Sequence, residues 1–410
     1  MTALPRRLRS IDLTAAGSKI ARHAVQSLLP AVLGVLVSLS VVRRFGPESW
    51  GAYVNVVLAL QLAAHLTAFG HKELVLRRLA RDGAAIGPTV RHNLGVRARV
   101  LLPAAILAAL GFGLWRGWSP ATLLLGAGWI ALRTWIVSFE PVVLQTQRFL
   151  SAAVADALAT ALVLGGVWLG ADADRAWLLG LACAGEVARL LWLRRVLPET
   201  FAATPTDAQQ AASAGAELAA SLPFFLLGAA GLLGSKVDLY CVSALLPEAE
   251  VARFSVLSNM LLWLQSISGL LLMPFIRAVY GMSQVALYRL ALGFVGVGVL
   301  VGGVGAFGVG LLLERAYHLP IERETLAVGA LHVAQMFGQV PAIYALYKAG
   351  RERSVLWTSA AIIVLNVPLN LWLIPRFGLL GALLSSAGVG TAAALSYLWR
   401  ARGLASQSPR

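Results

Sequence analysis

Several charged residues interrupt otherwise apolar runs, and they are the first candidates for chemistry. Arg133 stands inside ATLLLGAGWIALRTWIVSF (121–139), and Lys236 and Asp238 inside FFLLGAAGLLGSKVDLYCVSALL (224–246). Asp156 lies in LSAAVADALATALVLGG (150–166), and Glu186 and Arg189 in LACAGEVARLLWL (181–193). A charge at the centre of a bilayer-spanning helix costs at least ~2.5–3.5 kcal/mol on insertion scales, so a charge retained there is a functional candidate by default. A guanidinium or ammonium at that depth suits an anion, and a carboxylate suits a proton or a coupling cation. Plainer readings stand beside these. Arg133 has Glu140 roughly on its own helix face as a partner. Glu186 and Arg189 are three residues apart and are able to pair. Lys236 and Asp238 are two apart and do not face each other, which leaves Lys236 to face a cavity and Asp238 to serve there or structurally. Asp156 has no obvious partner; it binds a coupling ion or is hydrated near an interface.

Three basic residues at the ends of apolar runs, Arg22, Lys72 and Arg277, are candidates for capturing an anion at an entrance, and equally for setting topology. Gln26, His65, Asn259, Gln265, Gln335, Gln339, Asn366 and Asn370 are uncharged polar groups within the runs. They line a polar cavity or cross-link helices. No catalytic residues, metal ligands or cofactor are expected. Cys183 and Cys241 lie in apolar runs without metal or redox spacing. GFVGVGVLVGGVGAFGVG (293–310) lacks the strand and Lys-Ser/Thr of a phosphate loop, whereas Gly298 and Gly302 have the GxxxG spacing of close helix packing.

These residues need elements to hold them. The chain has 410 residues, 58% hydrophobic and 13% charged; a soluble domain is typically about 25% charged. It reads as an all-α polytopic membrane protein. The apolar runs fall at 24–42, 51–70, 98–115, 120–139, 152–171, 176–193, 217–245, 251–275, 287–312, 325–347, 355–374 and 378–399, about twelve spans. The net charge of +15 is dispersed through the gaps, as topology signals are, and implies no nucleic acid partner. Placing the N-terminus inside puts the clusters Arg6–Arg22 and Lys72–Arg99 inside, so both termini are expected in the cytoplasm. Residues 11–26 mix charge with apolar positions and suit an interfacial helix. The segment at 199–215 divides the spans six and six: an N-terminal lobe over 1–198, a cytoplasmic linker, and a C-terminal lobe over 216–410. RRFGPESWGAY (43–53) and ALLPEAEVARF (244–254) punctuate corresponding places in the two halves. Six spans per half gives like-oriented repeats, with a substrate path expected at a central cavity.

VVRRFGPESWGAY followed by FGHKELVLRRLAR, VDLYCVSALLPEAEVARFSVLSNMLLWLQSISGLLLMPFIRAVYG, and NVPLNLWLIPRFGLLGALLSSAGVGTAAALSYLW resemble, in order and spacing, the first hairpin, the seventh and eighth helices and the last pair of Wzx-type polysaccharide flippases. The resemblance implies the multidrug/oligosaccharidyl-lipid/polysaccharide exporter superfamily: two six-helix bundles, alternating access, no enzyme activity. It implies a bacterial cytoplasmic-membrane protein, needing no cofactor, that moves undecaprenyl-pyrophosphate-linked oligosaccharide (O-antigen, capsule or exopolysaccharide units) to the outer leaflet. Such a protein works as a monomer in the lipid bilayer, alongside a polysaccharide polymerase and chain-length regulator. On that reading Arg133, Lys236 and the entrance cations meet the pyrophosphate, and the polar residues accommodate sugar. One rival is a cation-coupled MATE-type multidrug exporter, but residues 24–42 lack the acid such exporters generally carry in the first helix. MurJ-class lipid II flippases usually have two more helices. A membrane-embedded polymerase or ligase would need a large outer loop bearing chemistry, and the loops here are short.

Overall fold

The computed structural model describes residues 13–82, 85–170, 174–200, 213–272 and 275–407, and these are helical almost throughout. In chain order the helices are α1 (Leu13–Ala68), α2 (His71–Asp82), α3 (Ile86–Val96), α4 (Leu102–Trp115), α5 (Pro120–Val137), α6 (Glu140–Thr146), α7 (Phe149–Leu169) and α8 (Arg175–Val196). Then follow α9 (Ala214–Leu245), α10 (Glu248–Leu272), α11 (Ile276–Gly281), α12 (Gln284–Arg315), α13 (Arg323–Lys348) and α14 (Glu352–Gln407).

Two of these are too long for one crossing. α1 and α14 each run 56 residues, about 84 Å at 1.5 Å per residue, against a hydrocarbon core of about 30 Å. Each breaks at a glycine: Gly46 with φ 87° and ψ 165°, and Gly378 with φ 56° and ψ −131°. Residues with a Cβ are strained in these conformations. Both glycines follow Arg-Phe, at Arg44-Phe45 and Arg376-Phe377. Among the described residues, ten helical stretches are long and apolar enough to cross a membrane. Counting α1 and α14 as two spans each gives the expected twelve. α1 is unbroken from Leu13, so the described part of the expected interfacial segment is continuous with the first span. The segment at 201–212 lies outside the described residues.

The third span begins earlier than its apolar run. α3 starts at Ile86 and passes through a π-helical turn, Arg97–Leu101, into α4. Pro103 follows directly; it has no N–H to give the carbonyl four residues back, and a wider turn relieves that conflict.

By contacts the chain forms two compact units. One comprises residues up to Val32, Val237–Leu246 and Phe254 onward; the other comprises Leu33–Lys236 and Pro247–Arg253. The second of these is built on Val56, Leu60, Ala105, Trp129, Ile130 and Leu179, all buried. The first has a core of Leu287, Ala291, Ala342, Leu346, Ala393 and Tyr397. Within it, α12 and α13 approach closely where the GxxxG spacing predicts: a Cβ on Gly298 or Gly302 would lie 2.6 Å or 2.4 Å from the carbonyl oxygen of Ala334 or Ala330.

The two Pro-Glu islands touch. A Cβ on Gly51 would stand 1.8 Å from the carbonyl oxygen of Glu248. Gly34, in the same helix, has nothing within 4 Å of that position. Gly51→Val is therefore expected to destabilise by about 1–3 kcal/mol through overpacking, with Gly34→Val near neutral. Thermal unfolding of both variants in detergent checks this; equal losses would contradict it.

Candidate functional site

Four charges inside the apolar helices of the Leu33–Lys236 unit join into one chain across three helices. Arg133 on α5 donates to Glu186 on α8 at 3.2 Å. The other Glu186 oxygen lies 3.8 Å from Arg189, which reaches Asp156 on α7 at 3.0 Å. Arg133 also lies over the Trp129 ring, 5.6 Å from its centroid. The side chains are 15–29% exposed, with Arg133 at 29% the most accessible and Glu186 at 15% the least. Two guanidiniums and two carboxylates make the chain formally neutral. Pairing across helices removes much of the penalty that four isolated charges would incur in the bilayer.

This arrangement revises the pairings read from sequence. Arg133 finds Glu186 rather than Glu140. Glu140 opens α6, beyond the end of α5, and sits 3.9 Å from Lys72. The Glu186–Arg189 contact exists, but the nearer partner of Arg189 is Asp156. Asp156 thus has a cation. Lys72 is also 3.6 Å from Glu73, with side chains 40% and 43% exposed, a solvent-screened pair of small energetic weight.

A second network, in the same compact unit, was not recognised as a site from sequence. Glu217, in the first turn of α9, is 1% exposed. It accepts two hydrogen bonds from Arg78 at 2.9 and 2.6 Å, and one from Asn93 at 2.8 Å. The Asn93 carbonyl accepts from Arg97 Nε at 2.8 Å and contacts His71 Nδ1 at 2.5 Å. An amide oxygen only accepts, so His71 carries its proton on Nδ1. Arg97 is itself buried and reaches the Thr67 carbonyl at 3.2 Å and Ser138 at 2.6 Å. Thr134 closes the set by donating to Thr67 at 2.8 Å. α5 therefore offers Arg133 to the ionic chain and Thr134 to this network, and Ser138, capping its C-terminal end, joins the same network.

The other unit holds uncharged polarity around one acid. Ser386 donates to Asp238 at 3.2 Å, and Asn366 donates to Ser386 at 3.4 Å. The Asn366 carbonyl accepts from Ser385 at 2.6 Å and from Asn370 at 3.0 Å. Asn370 Oδ1 is buried without a hydrogen-bond partner. Nearby elements are tied by glutamines. Gln265 on α10 donates to the His332 carbonyl at 2.9 Å, Gln335 accepts from Thr391 at 2.9 Å, and Gln339 donates to the Gly390 carbonyl at 3.0 Å. These three, expected to line a cavity or cross-link helices, make cross-links.

Of the remaining candidates, His65 stacks against Phe225 with ring centroids 5.6 Å apart. Lys236 is half-buried on α9 and Asn259 half-buried on α10. The side chains of Arg22, Gln26 and Arg277 lie outside the described residues.

Arg189 bridges two acids, whereas loss of Arg133 leaves Glu186 near Arg189. Arg189→Ala is expected to destabilise by about 1–3 kcal/mol, less than the ~3–5 kcal/mol for breaking a fully buried pair because Arg189 and Asp156 are 25% and 20% exposed, and Arg133→Ala by less. Adding Asp156→Ala to Arg189→Ala should recover part of the loss. Thermal unfolding in detergent checks the order; an Arg133→Ala variant less stable than Arg189→Ala would contradict it.

No family model matches the sequence, and no curated protein matches it. Solved structures do. The lipid II flippase MurJ in an inward closed conformation aligns with a TM-score of 0.63 at 11% identity, covering 92% of this chain and 87% of that one. The MATE multidrug transporter DinF-BH aligns at 0.57 and 18% identity, covering 99% and 98%. The eukaryotic MATE transporter AtDTX14 aligns at 0.57 and 13% identity, covering 96% and 97%. The chain is thus a multi-pass membrane protein with the fold shared by MurJ and the MATE transporters.

Proposed function

We propose that the protein is a flippase that carries an undecaprenyl-pyrophosphate-linked oligosaccharide from the inner to the outer leaflet of a bacterial cytoplasmic membrane. The observation that carries this reading is the state of the first lobe's acids. Residues 13–46 contain none, and the two inside later spans, Asp156 and Glu186, are each held by arginine. Those carboxylates are poorly disposed to take up an exchangeable cation. Arg133 is the most accessible member of the chain. A pyrophosphate entering there meets a guanidinium first and is able to replace Glu186 as its partner, a charge-assisted exchange suited to phosphate oxygens. Lys236, with Lys72, Arg22 and Arg277 nearer the span ends, supplies further cations along the route.

Asp238 is the acid proposed for coupling. Asp238, Asn366, Asn370, Ser385 and Ser386 gather carboxylate, amide and hydroxyl oxygens, a donor set that suits a small hard cation or a proton. The buried Asn370 oxygen without a donor fits the same role. An inside-negative potential also assists anion export by ~2.3 kcal/mol per charge per 100 mV.

Vesicles containing the protein and lipid-linked oligosaccharide, with potential and ion gradients clamped, test both points. Flipping is expected, faster with the donor side negative. Asp238→Asn should abolish acceleration by the ion gradient while leaving acceleration by voltage. Absence of flipping under every gradient would reject the cargo.

The near-complete mutual coverage with MATE transporters, 99% and 98% for DinF-BH, favours cation-coupled multidrug export as the second reading. Uptake of a cationic dye by the same vesicles, without glycolipid movement, would select it.

A further inference from the structure

The Glu217 network belongs to neither the ionic chain nor the Asp238 cluster, and its construction is unusual for a permanent joint. It fixes the beginning of α9 to α2 and α3. Apolar packing at the same joint is tight. A Cβ on Gly70 would lie 2.6 Å from the Phe224 Cβ and 2.8 Å from the Ser221 carbonyl oxygen. Phe69 stacks on Phe225 with centroids 4.4 Å apart, and Arg77 lies over Phe224 at 5.0 Å.

Two features work against permanence. Phe69 has φ 42°, in the left-handed region. A residue other than glycine held there costs about 1–3 kcal/mol, and the contact that holds it is the stack on α9. The fastening is also an ion pair with one exposed end: Glu217 is 1% exposed, but Arg78 is 28% exposed. Arg78 stands at the end of the apolar stretch Leu29–Leu79, a position at which water and salt are able to compete for an exposed guanidinium. His92 Nε2 stands 4.0 Å from the second Glu217 oxygen, beyond hydrogen-bond range, and finds no other partner. Strain and an unmet polar atom therefore concentrate at one joint. α9 is, moreover, divided between the two compact units after Lys236, so its beginning and its end pack with different bodies.

We propose that Arg78, Asn93 and Glu217 form a releasable latch, which holds the first turns of α9 in the state seen here and opens without unfolding the rest of the protein. Release lets Phe69 relax and lets water hydrate Arg78, Glu217 and His92 together. The inference is independent of the cargo, because it concerns only how α9 is fastened.

Hydrogen exchange on the full-length protein in lipid nanodiscs tests it without a transport assay. In the native protein, the amides of residues 216–226 should exchange at least tenfold faster than those of 330–345, and faster at high salt. Glu217→Gln and Arg78→Ala should each raise exchange at 216–226 by a further tenfold or so, with 330–345 unchanged. The charge swap Arg78→Glu with Glu217→Arg should return it toward the native rate, which a general loss of folding would not do. Exchange at 216–226 as slow as at 330–345 in the native protein would overturn the proposal. So would indifference to both single substitutions, or a rise of both segments together that the swap fails to reverse.

Discussion

Charge pairing across helices is the constraint on which the first lobe depends. α5, α7 and α8 carry Arg133, Asp156, Glu186 and Arg189 at positions where an unpaired charge would oppose insertion. Held as a chain, with contacts from 3.0 to 3.8 Å, the same charges specify which helices are neighbours and in what rotation. Apolar side chains do this poorly in a bilayer, because lipid and leucine are equivalent solvents for one another. The second network acts likewise. In this state Glu217 is satisfied by Arg78 and Asn93, so one buried carboxylate positions the start of α9 against α2 and α3.

Much of the architecture was legible in the residues. Hydropathy gives the twelve spans because a bilayer admits few alternatives to apolar helices. RRFGPESWGAY marks the first hairpin because only Gly46 tolerates a φ of 87° there. Asn366 and Asn370 are four apart and stack on one helix face, so their mutual hydrogen bond is implicit in their spacing. The four charges of the ionic chain are each conspicuous, too.

Their pairing was not legible, and the reason is geometric. Sequence spacing reports only neighbours on the same helix, which is why it offered Glu140 as one reading for Arg133 and no partner for Asp156. Their partners lie on α8, 53 and 33 residues away. Arg97 was hidden differently. It stands among many arginines, where basic residues ordinarily signal topology, and the apolar run begins just after it. Only the early start of α3 and the π turn before Pro103 carry it inside the fold. Glu217 looked like a span end. The one available signal was its isolation, a single acid opening a long apolar helix, with the favourable helix N-terminus as a sufficient explanation.

The two bodies differ in electrostatic character in a way that bears on mechanism. In the Leu33–Lys236 unit, two guanidiniums lie against two carboxylates. In the other unit, Asp238 accepts from the Ser386 hydroxyl at 3.2 Å and from the Leu239 N–H at 2.8 Å, and Ser386 in turn accepts from Asn366. The polar side chains of the two units therefore differ in kind: arginine–carboxylate pairs hold α5, α7 and α8 together in one, whereas hydroxyl and side-chain amide groups link helices beside a carboxylate in the other.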